Sequence, residues 1–189
     1  MKTSNAVVLV VALFGGLFYF GWRGISSRPP KDAEKRLILD ADELEKLGRN
    51  LKPKCEKYTS KLHLDGTRDV DFEYDCGPTA TIYINSIAEI SRSSRGARES
   101  FAMSIAAYEA AMAAGGKTVD RRRDLLTLGD QHYAALLRNG TRTGGNVFVV
   151  RQGRVLHVLV LVGFYLDNPD DVHRLFAPLL EESKKQYGT

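Results

Sequence analysis

Four histidines, two cysteines and a scatter of arginines are the residues of this chain whose types can carry chemistry. Asp130 and His132 stand two apart in the order Gly129-Asp130-Gln131-His132-Tyr133. On a strand that spacing puts both on one face, the geometry of an acid orienting a base. A turn acid followed by an ordinary strand residue explains the same letters, and no serine nearby has the setting of a nucleophile. His157 lies in the most apolar stretch and reads as a core imidazole. His173 sits beside Arg174 on an expected surface helix. Arg95 and Arg98 with Arg121 and Arg123 offer a patch for an anionic partner. Arg95 and Arg98 are helix neighbours, and Arg121 and Arg123 share a strand face. A solvated surface balanced by Glu99, Asp120 and Asp124 is the plainer alternative. Gly144-Gly145 lacks the Lys and Ser/Thr of a phosphate loop. No cofactor and no metal site is expected, because two cysteines without a CxxC or paired histidines do not make a zinc centre. Asp167, Asn168, Asp170 and Asp171 read as helix capping rather than calcium ligands. The chain therefore reads as a non-enzyme.

Cys55 and Cys76 flank two strand-like segments, 57–64 and 68–76, around Asp65-Gly66. A two-residue Asp-Gly turn sets Cys55 opposite Cys76 at a closely spaced position, which predicts a disulfide. That register splits the apolar residues between faces: Tyr58, Leu62 and Leu64 on one, Val70, Phe72 and Tyr74 on the other. A three-residue turn aligns the apolar residues and misaligns the cysteines, and a bulge between turn and cysteines reconciles the two. Two buried thiols are the alternative to the bond.

The elements that must hold these residues form one domain, expected over 40–189. Asp40 or Asp42 caps a short helix carrying Leu44, Leu47 and Leu51, which Pro53 ends. Residues 79–90 alternate as a strand. Ala97, Phe101, Ile105, Tyr108 and Met112 mark one face of a helix over 94–114. Residues 117–127 and 130–138 are further strands. Asn146–Gln152 follows the loop NGTRTGG, and Val155–Val162 is apolar enough to be covered on both faces. Asn168-Pro169-Asp170-Asp171 starts a last helix, which Pro178 is expected to kink or split. Helix, three strands, helix, four strands, helix is the order of an α+β fold. The expected architecture is a mostly antiparallel sheet of about six to seven strands flanked by helices.

Ahead of the domain, Ala6 to Trp22 is an unbroken apolar run, about 25 Å long as a helix and close to the thickness of a bilayer core. Tyr19 and Trp22 edge it as interfacial aromatics do. Residues 1–22 read as a transmembrane signal anchor or a cleaved signal peptide. The bulky Phe18, Tyr19, Phe20 and Trp22 occupy the place of a cleavage site, which favours the anchor. No cysteine follows the run to carry a lipid. Residues 23–39 read as a linker, rich in Gly, Ser and Pro. Of the net charge of +4, three come from residues 1–35, so the basic balance lies beside the membrane. The near-neutral domain is no nucleic-acid footprint. Arg23, Arg28, Lys31, Lys35 and Arg36 favour a cytoplasmic domain by the positive-inside rule, whereas an oxidised cysteine pair favours the extracytoplasmic side.

The cadence Gly129-Asp130-Gln131-His132-Tyr133-Ala134, then Asn146-Val147-Phe148-Val149-Val150-Arg151-Gln152-Gly153-Arg154-Val155, then an apolar strand and a capped helix, resembles part of a known fold family. It is similar to the C-terminal half of small exported domains with the PsbP-like α/β/α sandwich, among them bacterial sensor-type and lipoprotein domains. The resemblance spans roughly 94–183 and implies a binding or assembly role without catalysis. It brings over no functional residue. The function expected is thus a membrane-tethered extracytoplasmic domain, held through residues 6–22, that binds a protein or small ligand. An envelope hydrolase using Asp130 and His132, or a structural subunit of a membrane complex, are the alternatives.

Overall fold

A computed structural model describes residues 26–46, 55–77 and 80–188. The apolar run Ala6–Trp22, Leu47, Leu51 and Pro53 lie outside them. Among the described residues no helix is long and apolar enough to cross a membrane.

Among the described residues eight strands form one sheet, which corrects the expected six to seven. They are β1 (Ser26–Arg28), β2 (Glu56–Leu62), β3 (Arg68–Asp75), β4 (Tyr83–Ile90), β5 (Thr118–Arg121), β6 (Gln131–Asn139), β7 (Arg142–Gln152) and β8 (Val155–Val162). The order across the sheet is β1-β2-β3-β4-β8-β7-β6-β5, and every adjacent pair is antiparallel. Two four-strand meanders therefore meet along β4 and β8. The additional strand is β1, a three-residue edge within the stretch read as a linker. Three residues are too few to show alternation, and Pro29, with no N–H to donate, follows them directly.

The rest of that stretch is structured as well. Helix α1 (Asp32–Lys35) follows, and Leu37, Ile38 and Leu39 are buried. Leu39 N–H donates to Ser86 Oγ (2.9 Å). An apolar triplet is too short to announce itself by period, so its burial comes from tertiary packing alone. Helix α2 (Ala41–Glu45) is capped by Asp40, whose carboxylate accepts from Glu43 N–H (3.3 Å).

Helices cover both faces. On one face Val70, Phe72, Ile84, Phe148, Val150 and Leu159 pack under Leu37–Leu44 and helix α4 (Pro169–Tyr187). On the other, Val147, Val149, Leu156, Val158 and Val160 pack under Tyr108 and Met112 of helix α3 (Ser94–Ala114), with Phe101 and Ile105 beside them. Strand β8 sits between the two layers, and every residue from Val155 to Leu161 is buried. Asn168 caps α4 by accepting from Asp170 N–H (3.0 Å). Pro178 does not split α4, which runs unbroken to Tyr187. Its ring is exposed, while Leu175, Phe176, Leu179 and Leu180 anchor the turns around it. Segment 117–127 yields only the short β5, because Leu125 and Leu126 leave the sheet to become fully buried.

Candidate functional site

Cys55 and Cys76 form a disulfide, with Cα atoms 4.9 Å apart. The register that permits it differs from the two-residue turn. Glu56 pairs with Tyr74, Tyr58 with Phe72 and Leu62 with Arg68, and His63 N–H donates to Thr67 carbonyl oxygen (2.9 Å) across a three-residue turn. The apolar residues Tyr58, Val70, Phe72 and Tyr74 thereby share the core face. The bridge is made just past the last rung of the ladder, where strict pairing no longer applies.

The four arginines do not form one patch. Arg95 lies one turn from Glu99 and hydrogen-bonds it (3.0 Å) at the start of α3. Arg121 makes two bonds to Glu109 (2.8 and 2.9 Å) and stacks over Tyr133, its guanidinium carbon 5.7 Å from the ring centroid. Glu109 is 11 to 14 residues beyond Arg98 and Arg95 on the same helix, roughly 16 to 21 Å along its axis. Arg123 is exposed in the loop after β5.

Asp130 and His132 do not converge either. The Asp130 carboxylate accepts from Gly153 N–H (2.8 Å) and pairs with Arg151 (3.0 Å). His132 is exposed, and no hydrogen bond joins the two. Gly129, at φ +80°, brings its own backbone so close to Val150 and Arg151 that a Cβ would stand 2.6 and 2.8 Å from their atoms. The Gly-Asp…Arg-x-Gly cadence is therefore a lock on the β7–β8 turn.

A buried titratable cluster on β3 and β4 is not among the sites expected from the sequence. Asp69 and Asp71 alternate on β3, on the sheet face that also carries α3. Asp69 is 1% exposed and pairs with His63 through Oδ2, while its Oδ1 has no partner. Burial pushes the Asp69 carboxyl up, and its hydrogen bond pushes His63 up. Asp71 accepts from Asn85 Nδ2 (2.7 Å), and burial raises it to about 6. Glu89 stands opposite Asp69 in the ladder, accepts from Ser91 Oγ (3.1 Å), and is also raised by burial. The signal available was the run of acids at alternate positions 69, 71 and 73, on the face opposite Val70, Phe72 and Tyr74. Of the cluster, Asp71 holds its proton into the mildly acidic range. Among the described residues no group of three or more His, Cys, Asp or Glu is placed to hold a metal ion.

On the opposite face His157 is fully enclosed. Its Nδ1–H donates to Leu37 carbonyl oxygen (3.0 Å), which leaves Nε2 to accept from the Ser183 hydroxyl (2.8 Å). Burial lowers it to about 4, so the ring is neutral at pH 7. Near this face a cleft of about 350 Å³ opens between residues 35–43 and α4. Ile38, Leu39, Leu175, Pro178 and Leu179 give it an apolar floor, and Lys35, Arg36, Asp40, Glu43 and Glu182 a rim of both signs.

No protein-family model matches the chain, and a comparison with curated proteins returned no relative. Among solved structures, the extracellular domain of PknH from Mycobacterium tuberculosis aligns over 98% of this chain and 93% of that one, at 9% identity and a TM-score of 0.41. That likeness is too distant to carry an argument.

Proposed function

We propose that this chain is a membrane-tethered extracytoplasmic domain that binds a protein segment or small ligand without transforming it. The observation that carries the reading is the Cys55–Cys76 bond, which uses both cysteines of the chain. Structural disulfides persist in oxidising compartments and are scarce in the cytosol. The apolar run Ala6–Trp22 supplies the tether. The cleft beside α4 supplies a binding surface of five apolar and five charged side chains, suited to a segment that carries both. Asp130 is committed to a turn and His132 to solvent, which removes support from a hydrolase.

The test is thiol alkylation in intact cells, with permeant and impermeant reagents, before and after reduction. The expected result is no labelling before reduction and labelling by the impermeant reagent after it. Labelling by the permeant reagent alone, without reduction, overturns the reading. A binding role further predicts a stoichiometric partner from gently solubilised membranes, or a ligand-induced rise in melting temperature, that Leu179→Glu in the cleft removes.

A further inference from the structure

Strand β1 fixes where the leader meets the domain. Ser26 pairs with Leu62, one residue before the His63–Thr67 turn. Trp22, the end of the apolar run, is four residues before Ser26, a reach of at most about 14 Å. With the tether proposed above, a step of four residues along the chain is all that separates the apolar run from the end of the sheet that bears this turn.

Three connections lie side by side there. The first is the 63–67 turn. The second is Ser91–Ser93, leading into α3. The third is Gly153-Arg154, joining β7 to β8. Ser91 N–H donates to Arg154 carbonyl oxygen (2.9 Å). Arg92 lies against Gly66, since a Cβ on that glycine would fall 2.3 Å from Arg92 Nε. The guanidinium of Arg154 sits 5.1 Å over the Tyr187 ring at the end of α4, and Lys185 is in that last turn.

We infer that this end of the domain rests on the anionic lipid surface beside its own anchor. The inference depends on the tether proposed above. Two observations select the occupant. Leu64, at the tip of the turn, is 82% exposed, the most exposed large apolar residue among those described. The acids nearby are engaged locally. Asp65 accepts from Thr67 N–H (2.8 Å) and hydroxyl (3.0 Å), Asp130 from Gly153, and Glu99 from Arg95. Asp65 keeps its charge beside the Arg92 guanidinium, which offsets it, and Arg154 and Lys185 add positive charge beyond those pairs. An apolar tip with Arg92 beside it, and with Arg154 and Lys185 along the same end of the sheet, suits the headgroup region of an anionic bilayer, where each basic residue near the surface favours association about fivefold.

The chain's single tryptophan, Trp22, makes the test direct. The full chain is reconstituted into brominated phosphatidylcholine vesicles with and without brominated phosphatidylglycerol. The native protein is compared with a Trp22→Phe/Leu64→Trp variant. The expected result is bromine quenching of Trp22 in both lipids. The indole placed at position 64 is expected to be quenched at least about twofold more with phosphatidylglycerol, a difference that Arg92→Glu or Lys185→Glu reduces. Quenching at position 22 with none at 64 overturns the docking and leaves the tether standing. Equal quenching at 64 in both lipids overturns the role given to the basic residues. No quenching at 22 overturns the tether and the inference together.

Discussion

His157 accepts a hydrogen bond from the Ser183 hydroxyl at 2.8 Å, joining the central strand β8 to the last turns of α4. The other ring nitrogen donates to Leu37, so one imidazole ties the sheet to two segments far apart in sequence. The ring must be neutral to do this, and its folded value lies at about 4 against an ordinary 6.5. The unfolded chain therefore binds a proton more readily than the folded one between those limits. The stability His157 contributes is complete above about pH 6.5 and is lost as pH falls towards 4. The loss is about 3 kcal/mol. Urea unfolding across pH 4 to 7 measures it. Ser183→Ala should cost about 1–3 kcal/mol at pH 7 by leaving Nε2 without a donor.

Asp71 works in the opposite sense over the same range. Its folded value of about 6 lies above the ordinary 3.8, so the folded chain holds the extra proton. Stability falls as pH rises from about 4 to 6, where the carboxylate must ionise partly buried beside α3. Asp71→Asn keeps an acceptor and removes the charge. It should stabilise the domain by about 1–2 kcal/mol at pH 7, after allowing for partial exposure, and by nothing near pH 3.5. Because the His157 and Asp71 slopes oppose each other, the native protein should show a flatter profile than either Asp71→Asn or His157→Leu. A native profile as steep as that of Asp71→Asn counts against this pairing of slopes.

What could be read from the sequence follows the strength of local pattern. The helix over 94–114 has five apolar residues on one face, and the structure gives Ser94–Ala114. Strand β8 is apolar throughout and buried throughout. Strand β1 was not legible, because three residues carry no period and their place is set by pairing with β2. Leu37–Leu39 looked like linker because their burial depends on α4, more than 130 residues later. The site was less legible still. Asp69, Asp71 and Glu89 come together only after β3 and β4 pair, and Arg121 reads as part of a patch because its partner Glu109 lies 12 residues away on a different element. Sequence spacing shows which residues share a face, but not which residue neutralises which.

The disulfide predicts its own contribution. Cys55 and Cys76 are 21 residues apart, and closing a loop of that size in the unfolded chain is worth about 3 kcal/mol. The bond also lies beyond the ladder's last rung, so it holds the open end of the β2–β3 hairpin. Cys55→Ser/Cys76→Ser should lower stability by about 2–4 kcal/mol. Amide exchange should quicken most in Glu56–Tyr58 and Glu73–Asp75, and least at the 63–67 turn. Uniform exchange changes along the hairpin would show that the bond acts only through the unfolded chain.

Asp130 separates a structural reading from a catalytic one. Its carboxylate receives Gly153 N–H and faces Arg151, which is 8% exposed and also bonds Gln131 (2.7 Å) and the Gly153 carbonyl oxygen (2.7 Å). Removing the carboxylate takes the anionic partner from a nearly buried guanidinium and the acceptor from Gly153 N–H, so Asp130→Ala should cost about 2–3 kcal/mol of stability. Gly129→Ala should cost a similar amount, because φ is +80° and the new methyl meets the Arg151 carbonyl oxygen at 2.8 Å. His132→Ala, at an exposed position, should change stability by less than about 0.5 kcal/mol. Chemical denaturation of the three variants gives the comparison. An acid–base pair would behave differently: Asp130 and His132 variants would share one functional defect at unchanged stability. The structure instead predicts that Asp130 falls in with Gly129 and Arg151, and that His132 stands apart.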